Sequence, residues 1–475
     1  MRLRRTPAPR VGEPLWWLEK LYAELLARQE SMALMDSYYR GDHPLPFLTP
    51  AHADKMRNEF RQLLDQSRSN FMRLVVDVVE ERLRVEGFRL SASTDKQADQ
   101  DSWEIWQENQ MDAESQTGFV ESLVKGVSYL SVWEGAKDGD LPVIAVEDPT
   151  QTIVGYEPGS NFRRRAAGLK VWRDIWTGKD RANVYLPSGI FKFEAPSADE
   201  AKIGTPVGLA HESDTDRRWK ELEAEFVGNP LGVVPIIPLR NRPRLLVEGE
   251  SEIADVFRGQ NQINGFLFLL ALAGYFGAHR QRWAIGIKMM SDEASPGVDQ
   301  IDTAIDKLWA SENPLAKFGD FEQTDLSGYI KAIEQAVLHI AVTTRTPRHY
   351  LIEQGQSPSG DAIKSAESGL VKKVERKMRT FGEGLEEAMR LARLFAGESD
   401  APVDSEIVWA DPEIRTEAEI TDAAVKKLQL GLIDRAQALE DCGYTQTQIA
   451  RMLAEPPPAP DSAEDPTPDP EVVTV

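Results

Sequence analysis

One passage constrains this chain more than any other: residues 249 to 283, GESEIADVFRGQNQINGFLFLLALAGYFGAHRQRW. It opens amphipathic, is almost wholly apolar from Gly265 to Ala278, and closes on a basic and aromatic cluster of Arg280, Arg282 and Trp283. A helix that is apolar on every side has to be buried on every side. A core within one chain, a lipid bilayer, or neighbouring copies of the chain could each do this. The apolar run is 14 residues long, short of the roughly 18 to 20 needed to span a bilayer. A second helical pattern at 326–344 carries Tyr329, Ile330, Ile333, Ala336, Val337, Ile340 and Ala341 as one stripe and is stopped before Pro347. The two passages together predict an antiparallel hairpin.

Ahead of this hairpin, residues 13–40 read as an amphipathic helix with Pro14 in the first turn and Gly41 at its end. Residues 51–65 and 70–85 predict two more helices, the second ended by Gly87. Trp103, Trp106 and Met111 are placed on one further short helix, and 113–126 on another. Short β-branched and aromatic runs, broken by Gly, Pro, Asp and Asn, then predict an antiparallel β region over about 128–240, interrupted by a surface excursion at 196–226. Beyond the hairpin, a polar loop leads into a long helix at 361–397, with a bend expected at Gly382 and Gly384. Residues 415–454 read as two or three short helices, one opened by a Thr445–Gln448 capping box. The Pro-rich acidic tail 455–475 is expected to be disordered. The fold class is α+β, mainly helical.

Charge and chemistry narrow the function. The net charge of −22 repels polyanions and opposes tight, sequence-independent DNA binding. Cys442 stands alone, which excludes an intrachain disulfide or a cysteine metal site and fits a reducing compartment. The six histidines show no ligand spacing, so no metal and no cofactor is expected. The basic N-terminus runs into Trp16 and Trp17 rather than an apolar signal core. Gly355 to Gly360 begins like a phosphate-binding loop, but Asp361-Ala362 replaces the Lys-Ser/Thr pair that such a loop requires. The G-x-S-x-G pattern of a nucleophile elbow fails at Ser359. No catalytic residue is therefore assigned. The basic run Lys372, Lys373, Arg376, Lys377 and Arg379 reads as a solvated helix face, with Glu375 at pairing distance from Lys372 and Arg379; contact with DNA or with an acidic neighbour is the functional alternative.

Several segments, taken in order, resemble the portal proteins of long-tailed double-stranded DNA phages: SYYRGDHPL, NFMRLVVDVVEERLRVEGFR, the 249–283 passage, TDLSGYIKAIEQAVLHIAVTTRTPRHYL, SPSGDAIKSAESGLVKKVERKMRTFGEGLEEAMRL and VWADPEIRTEAEITDAAVKKLQLGLIDRAQALEDCGYT. The resemblance covers, with gaps, most of 13–454. It implies a ring, usually a dodecamer, at one capsid vertex. The expected parts are a wing at 1–242, a stem helix at 243–279, a clip at 280–324, a returning stem helix at 325–347, a channel loop at 348–360, a long wing helix at 361–410 and a crown at 411–454. The glycines at 265, 274 and 277 depart from the stem pattern.

On this resemblance the channel loop would present Gln354, Gln356, Ser357 and Ser359 to passing DNA, with Lys364 as a phosphate contact. The clip would meet its partners through Arg280, Arg282, Trp283 and Lys288. Implied partners are other copies of the chain, double-stranded DNA, the terminase large subunit, a head-to-tail adaptor, and the major capsid or scaffold protein. A membrane-associated helical assembly protein burying 263–278, and a nucleotide-dependent enzyme using the loop before Gly360, are the alternative readings.

Overall fold

The computed structural model describes residues 9–44, 58–90, 96–137, 139–196, 219–278, 282–285, 317–320, 325–352, 360–398, 405–413, 415 and 417–454. Helix α1 (Pro14–Arg40) starts on Pro14, and Gly41 closes it in the left-handed conformation at φ 84°, which glycine adopts without steric cost. Helices α2 (Asn58–Gln66) and α3 (Phe71–Glu80) follow. Asn70 caps α3 by accepting from the Met72 and Arg73 amides at 3.0 and 3.2 Å.

The helix expected over 70–85 ends at Glu80. Residues after it turn into strand β1 (Val85–Leu90), which pairs antiparallel with β13 (Ser405–Trp409). A partner more than 300 residues away outweighs the local helical pattern here. Trp103 and Trp106 lie on α4 (Lys96–Glu108), whereas Met111 begins a separate helix, α5 (Met111–Lys125). Between them Gln110 takes φ 53°, which breaks the helix that the sequence had continued to Met111.

The β region forms two sheets. One has the order β10-β2-β3, from Val127–Trp133 (β2), Val143–Glu147 (β3) and Ile236–Arg240 (β10). The other is an antiparallel meander of Thr152–Tyr156 (β4), Arg165–Asp174 (β5), Lys179–Leu186 (β6) and Gly189–Pro196 (β7), extended by the short strands Lys220–Glu221 (β8) and Val227–Gly228 (β9). The end of the excursion expected at 196–226 thus joins the sheet instead of leaving it; 197–218 lie outside the described residues. Leu18, Leu21 and Leu25 of α1 pack with Ile153, Leu169 and Val184 into a core on the larger sheet.

A longer core joins α3, α5 and the three-stranded sheet to α9 (Gly360–Phe395), with Phe119 stacked on Phe381 at 5.1 Å between ring centres. The last helices are Glu417–Gln429 (α10), Arg435–Asp441 (α11) and Gln446–Ala454 (α12). The expected capping box opens α12: the Thr445 amide donates to Gln448 Oε1 at 3.0 Å, and the Gln448 amide to Thr445 Oγ1 at 3.4 Å.

Helix α9 is continuous through Gly382 and Gly384. Gly384 serves close packing: a Cβ there would lie 2.7 Å from Leu239 Cδ2 and 3.2 Å from the Pro238 carbonyl oxygen, whereas one at Gly382 meets nothing nearer than 3.6 Å. Leu239 is fully buried, so it has nowhere to move. Alanine gains about 1 kcal/mol of helix propensity over glycine, and overpacking costs about 1–3 kcal/mol. Gly384→Ala is therefore expected to lower the urea midpoint and Gly382→Ala to raise it; equal shifts would refute the packing account.

Candidate assembly and channel elements

The central passage becomes helix α6 (Phe257–Ala278), and the returning helix is α7 (Ser327–Thr344). The helix begins eight residues later than 249, since 252–256 run as turns. It also ends before the basic–aromatic cluster. Arg282 and Trp283 lie on strand β11 (Arg282–Ile285), paired antiparallel with β12 (Lys317–Asp320). A strand pair at the tip of the hairpin replaces the helical end that the sequence suggested. Arg280 and Lys288 lie outside the described residues.

The hairpin is buried unevenly. At its base, Ile263 and Asn264 of α6 and Ala336, Val337, Ile340 and Ala341 of α7 are buried. Gly259 lets the helices close there, its missing Cβ lying 3.2 Å from Ile340 Cγ1. Further out, none of residues 266–275 is buried, although most are Leu, Phe or Ala. Leu269 and Tyr275 are 41% and 39% exposed, and Ile330 across the hairpin is 48% exposed. The single chain thus leaves part of an apolar surface exposed to water, which disfavours it. Among the described residues no helix is long and apolar enough to cross a membrane.

Two buried polar clusters hold the base of the hairpin to the rest of the chain. In the first, Glu252 lies between Lys373 and Lys377 of α9 at 2.8 and 2.6 Å. Lys373 also donates to the Thr344 carbonyl at the end of α7, at 2.8 Å, and Lys377 to Asn241 Oδ1 after β10. All three ionic side chains are buried. Burial alone would raise the Glu252 carboxyl, but the two ammonium groups override it and hold it at about 2. Burial brings Lys377 down to about 8, because the one carboxylate is shared and Lys373 and Arg242 add repulsion. The reading of 372–379 as one solvated face is thus corrected. Lys372, Arg376 and Arg379 are exposed, while Lys373 and Lys377, one turn apart, face inward. None of the ion pairs among the described residues joins Glu375 to Lys372 or Arg379.

In the second cluster, His43 is fully buried, stacks on Tyr38 at 4.5 Å and meets Asn264 Nδ2 through Nε2 at 2.8 Å. Asn264 Oδ1 accepts from the Ser69 amide and hydroxyl, and Gln260 Oε1 accepts from the Phe71 amide at 2.8 Å. Helix α6 thereby supplies side-chain partners to the loop that starts α3. Burial lowers the His43 imidazole, and Arg68 adds to this, which favours a neutral ring.

The expected channel-loop residues Gln354, Gln356, Ser357 and Ser359 lie outside the described residues. The structure does describe the two roots of that loop. Tyr350, on the short helix α8 (Arg348–Leu351), donates to the buried Glu367 of α9 at 3.2 Å, and Arg82 reaches both, at 2.9 and 3.4 Å. Lys364, on the first turns of α9, is ion-paired with Glu419 of α10. Sequence reasoning missed Glu252, Asn241, Gln260 and Asn264. The one local signal was polar residues at helical spacing, Gln260 and Asn264, on an otherwise apolar helix. Among the described residues no group of three or more His, Cys, Asp or Glu is placed to hold a metal ion.

Comparison with known proteins supplies the context for this geometry. The model of a family described as phage portal protein, SPP1 Gp6-like, matches residues 18–456. A protein of Mycobacterium phage L5 named portal protein is 33% identical over 461 residues, covering 93% of this chain and 88% of its own length. One of Mycobacterium phage D29 with the same name is 33% identical over 401 residues, 80% of this chain and 77% of its own.

Proposed function

The chain belongs to the SPP1 Gp6-like family of phage portal proteins, and from that premise we propose that it assembles as a ring, of twelve copies, at one vertex of the capsid. The ring is a conduit for DNA during packaging and ejection, a dock for the terminase large subunit, and later the seat of a head-to-tail adaptor. The single observation that carries the ring is the half-covered stem: an apolar hairpin whose base is locked into the chain and whose outer part, residues 266–275, is left for neighbours to cover. Closed rings of this type bury the same two surfaces at every contact.

In this reading 1–242 and 361–410 are wing, 243–279 and 325–347 stem, 280–324 clip, 348–360 channel loop and 411–454 crown. Gln354, Gln356, Ser357 and Ser359 present polar, uncharged groups to passing DNA, which suits a conduit because few cationic phosphate contacts means weak retention. Lys364 takes the part of a phosphate contact less readily, since Glu419 already neutralises it. Arg280, Arg282, Trp283 and Lys288 form the clip contact with the motor and adaptor. Capsid or scaffold protein meets the wing. Nothing in this role requires bond chemistry by the chain itself.

Electron micrographs of the purified chain test the reading. Rings with a central hole are expected. A compact monomer at every concentration and ionic strength would overturn it.

A further inference from the structure

The loop between β10 and the stem, together with the cavity beside it, carries an unusual local charge. The cavity, about 180 Å³, lies where wing and stem meet. Five cationic side chains line it, Arg242, Arg345, Lys373, Arg376 and Lys377, against two carboxylates, Glu252 and Asp255. A local excess of three positive charges stands out in a chain of net charge −22. Glu252 is taken up by the two lysines, and Asp255 by Arg242 at 2.8 Å. Arg345 and Arg376 are exposed and have no ion pair among the described residues.

The adjoining loop 242–249 exposes Leu245 and Leu246 by 77% and 84%. It is held firmly for a loop so exposed at its tip. Arg244 and Val247 exchange backbone hydrogen bonds at 3.0 and 3.1 Å, and Arg244 is ion-paired with Glu250. The Glu250 amide donates to the Asn241 carbonyl at 2.8 Å, and the Asn241 amide to that of Gly126 at 2.9 Å. At its root Gly249 lies so close to Gly126 that a Cβ would sit 2.0 Å from the carbonyl oxygen. A rigid apolar pair beside exposed arginines has the anatomy of an interface centre with a cationic rim, and its pre-ordering removes a cost of binding.

We propose that this loop and cavity receive an acidic face of a second copy of the chain, with carboxylates of that copy paired to Arg345 and Arg376. The inference rests on the ring reading above. Charge complementarity selects the occupant. Copies that each carry −22 repel one another, so a stable ring needs local sites where the sign is reversed. The chain itself, with 77 Asp and Glu against 55 Lys and Arg, has the excess of carboxylates to supply such a contact.

Arg376→Glu in the full-length protein tests this, with Lys20→Glu, an exposed α1 residue away from the cavity, as the control of equal charge change. Native mass spectrometry and sedimentation velocity follow ring dissociation on dilution, and circular dichroism confirms an unchanged fold. Arg376→Glu rings are expected to fall apart at about tenfold or more higher protein concentration than wild type, with Lys20→Glu unchanged. Leu245→Asp should weaken the ring in the same sense. Arg376→Glu rings as stable as wild type would overturn the inference while leaving the ring reading intact. So would the case in which the wild type binds inorganic phosphate, Arg376→Glu loses that binding, and assembly stays the same; the occupant is then a free anion. A wild type that never forms rings overturns the ring reading first and this inference with it.

Discussion

Glu252→Ala is expected to destabilise the chain by about 3–5 kcal/mol, the usual consequence of removing one partner from a buried ion cluster, read as a large fall in the urea unfolding midpoint. The size follows from what remains. Lys373 and Lys377 are buried and keep neutral partners, the Thr344 carbonyl and Asn241, but lose the one carboxylate that pairs with them among the described residues. Two largely buried ammonium groups then repel each other with no counter-charge between them. Replacing the whole cluster, with Glu252→Leu, Lys373→Met and Lys377→Met together, is expected to recover most of the loss, because the desolvation of all three charges disappears with them.

The effect is pH-dependent with a definite sign. The folded-state pKa of Glu252 is depressed from 4.5 to about 2. Its stabilisation is therefore fully present above pH 4.5 and is lost as pH falls towards 2. The gap between wild type and Glu252→Ala should close over that window. Lys377 acts at the other end: its folded pKa is lowered from 10.5 to about 8. The unfolded chain binds that proton more tightly, so this group makes the wild type more stable as pH rises from 8 to 10.5. A gap between the two proteins that stays constant from neutrality to pH 2.5 would refute the assignment of Glu252 as the charged centre of the joint.

What the sequence reveals about this joint, and what it hides, divides along the range of the interactions. Helix α1, its Gly41 stop, the Thr445–Gln448 box and the hairpin partners α6 and α7 depend on residues within a turn or two of each other, and they are legible. Strand β1 is not, because Val85 and Phe88 stand three residues apart, out of the strand period of two, with a register shift between them, and their partner strand lies past residue 404. Nor is the inward turn of Lys373 and Lys377. Lysines on an amphipathic helix read as solvent-facing until Glu252, more than 100 residues earlier, is seen to sit between them. Gly384 shows the same limit from the other side. Its place in a helix suggests a bend, and only Leu239 and the Pro238 carbonyl of β10 packed against it show what a side chain there would meet.

On the ring reading the α6–α7 hairpin separates chain stability from assembly, and two substitutions six residues apart on α6 should separate them in experiment. Ile263 is fully buried at the base of the hairpin, among residues of the same chain. Ile263→Ala should cost about 2–5 kcal/mol of unfolding free energy whether or not rings form. Leu269, less than two turns further along, is 41% exposed in the lone chain. Glutamate is nearly as good a helix former as leucine, so Leu269→Glu should change the unfolding free energy of the monomer by no more than about 1 kcal/mol. In a ring the same glutamate would be pressed, unpaired, into an apolar contact once per subunit, at a cost of several kcal/mol each time. Rings should therefore be absent from Leu269→Glu preparations in electron micrographs and in sedimentation, while the monomer stays folded. The difference arises because the apolar surface of 266–275 is only partly covered by the chain that carries it. Should Leu269→Glu assemble as the wild type does, residues 266–275 are not the contact between copies, and the apolar run that dominates this sequence needs another partner.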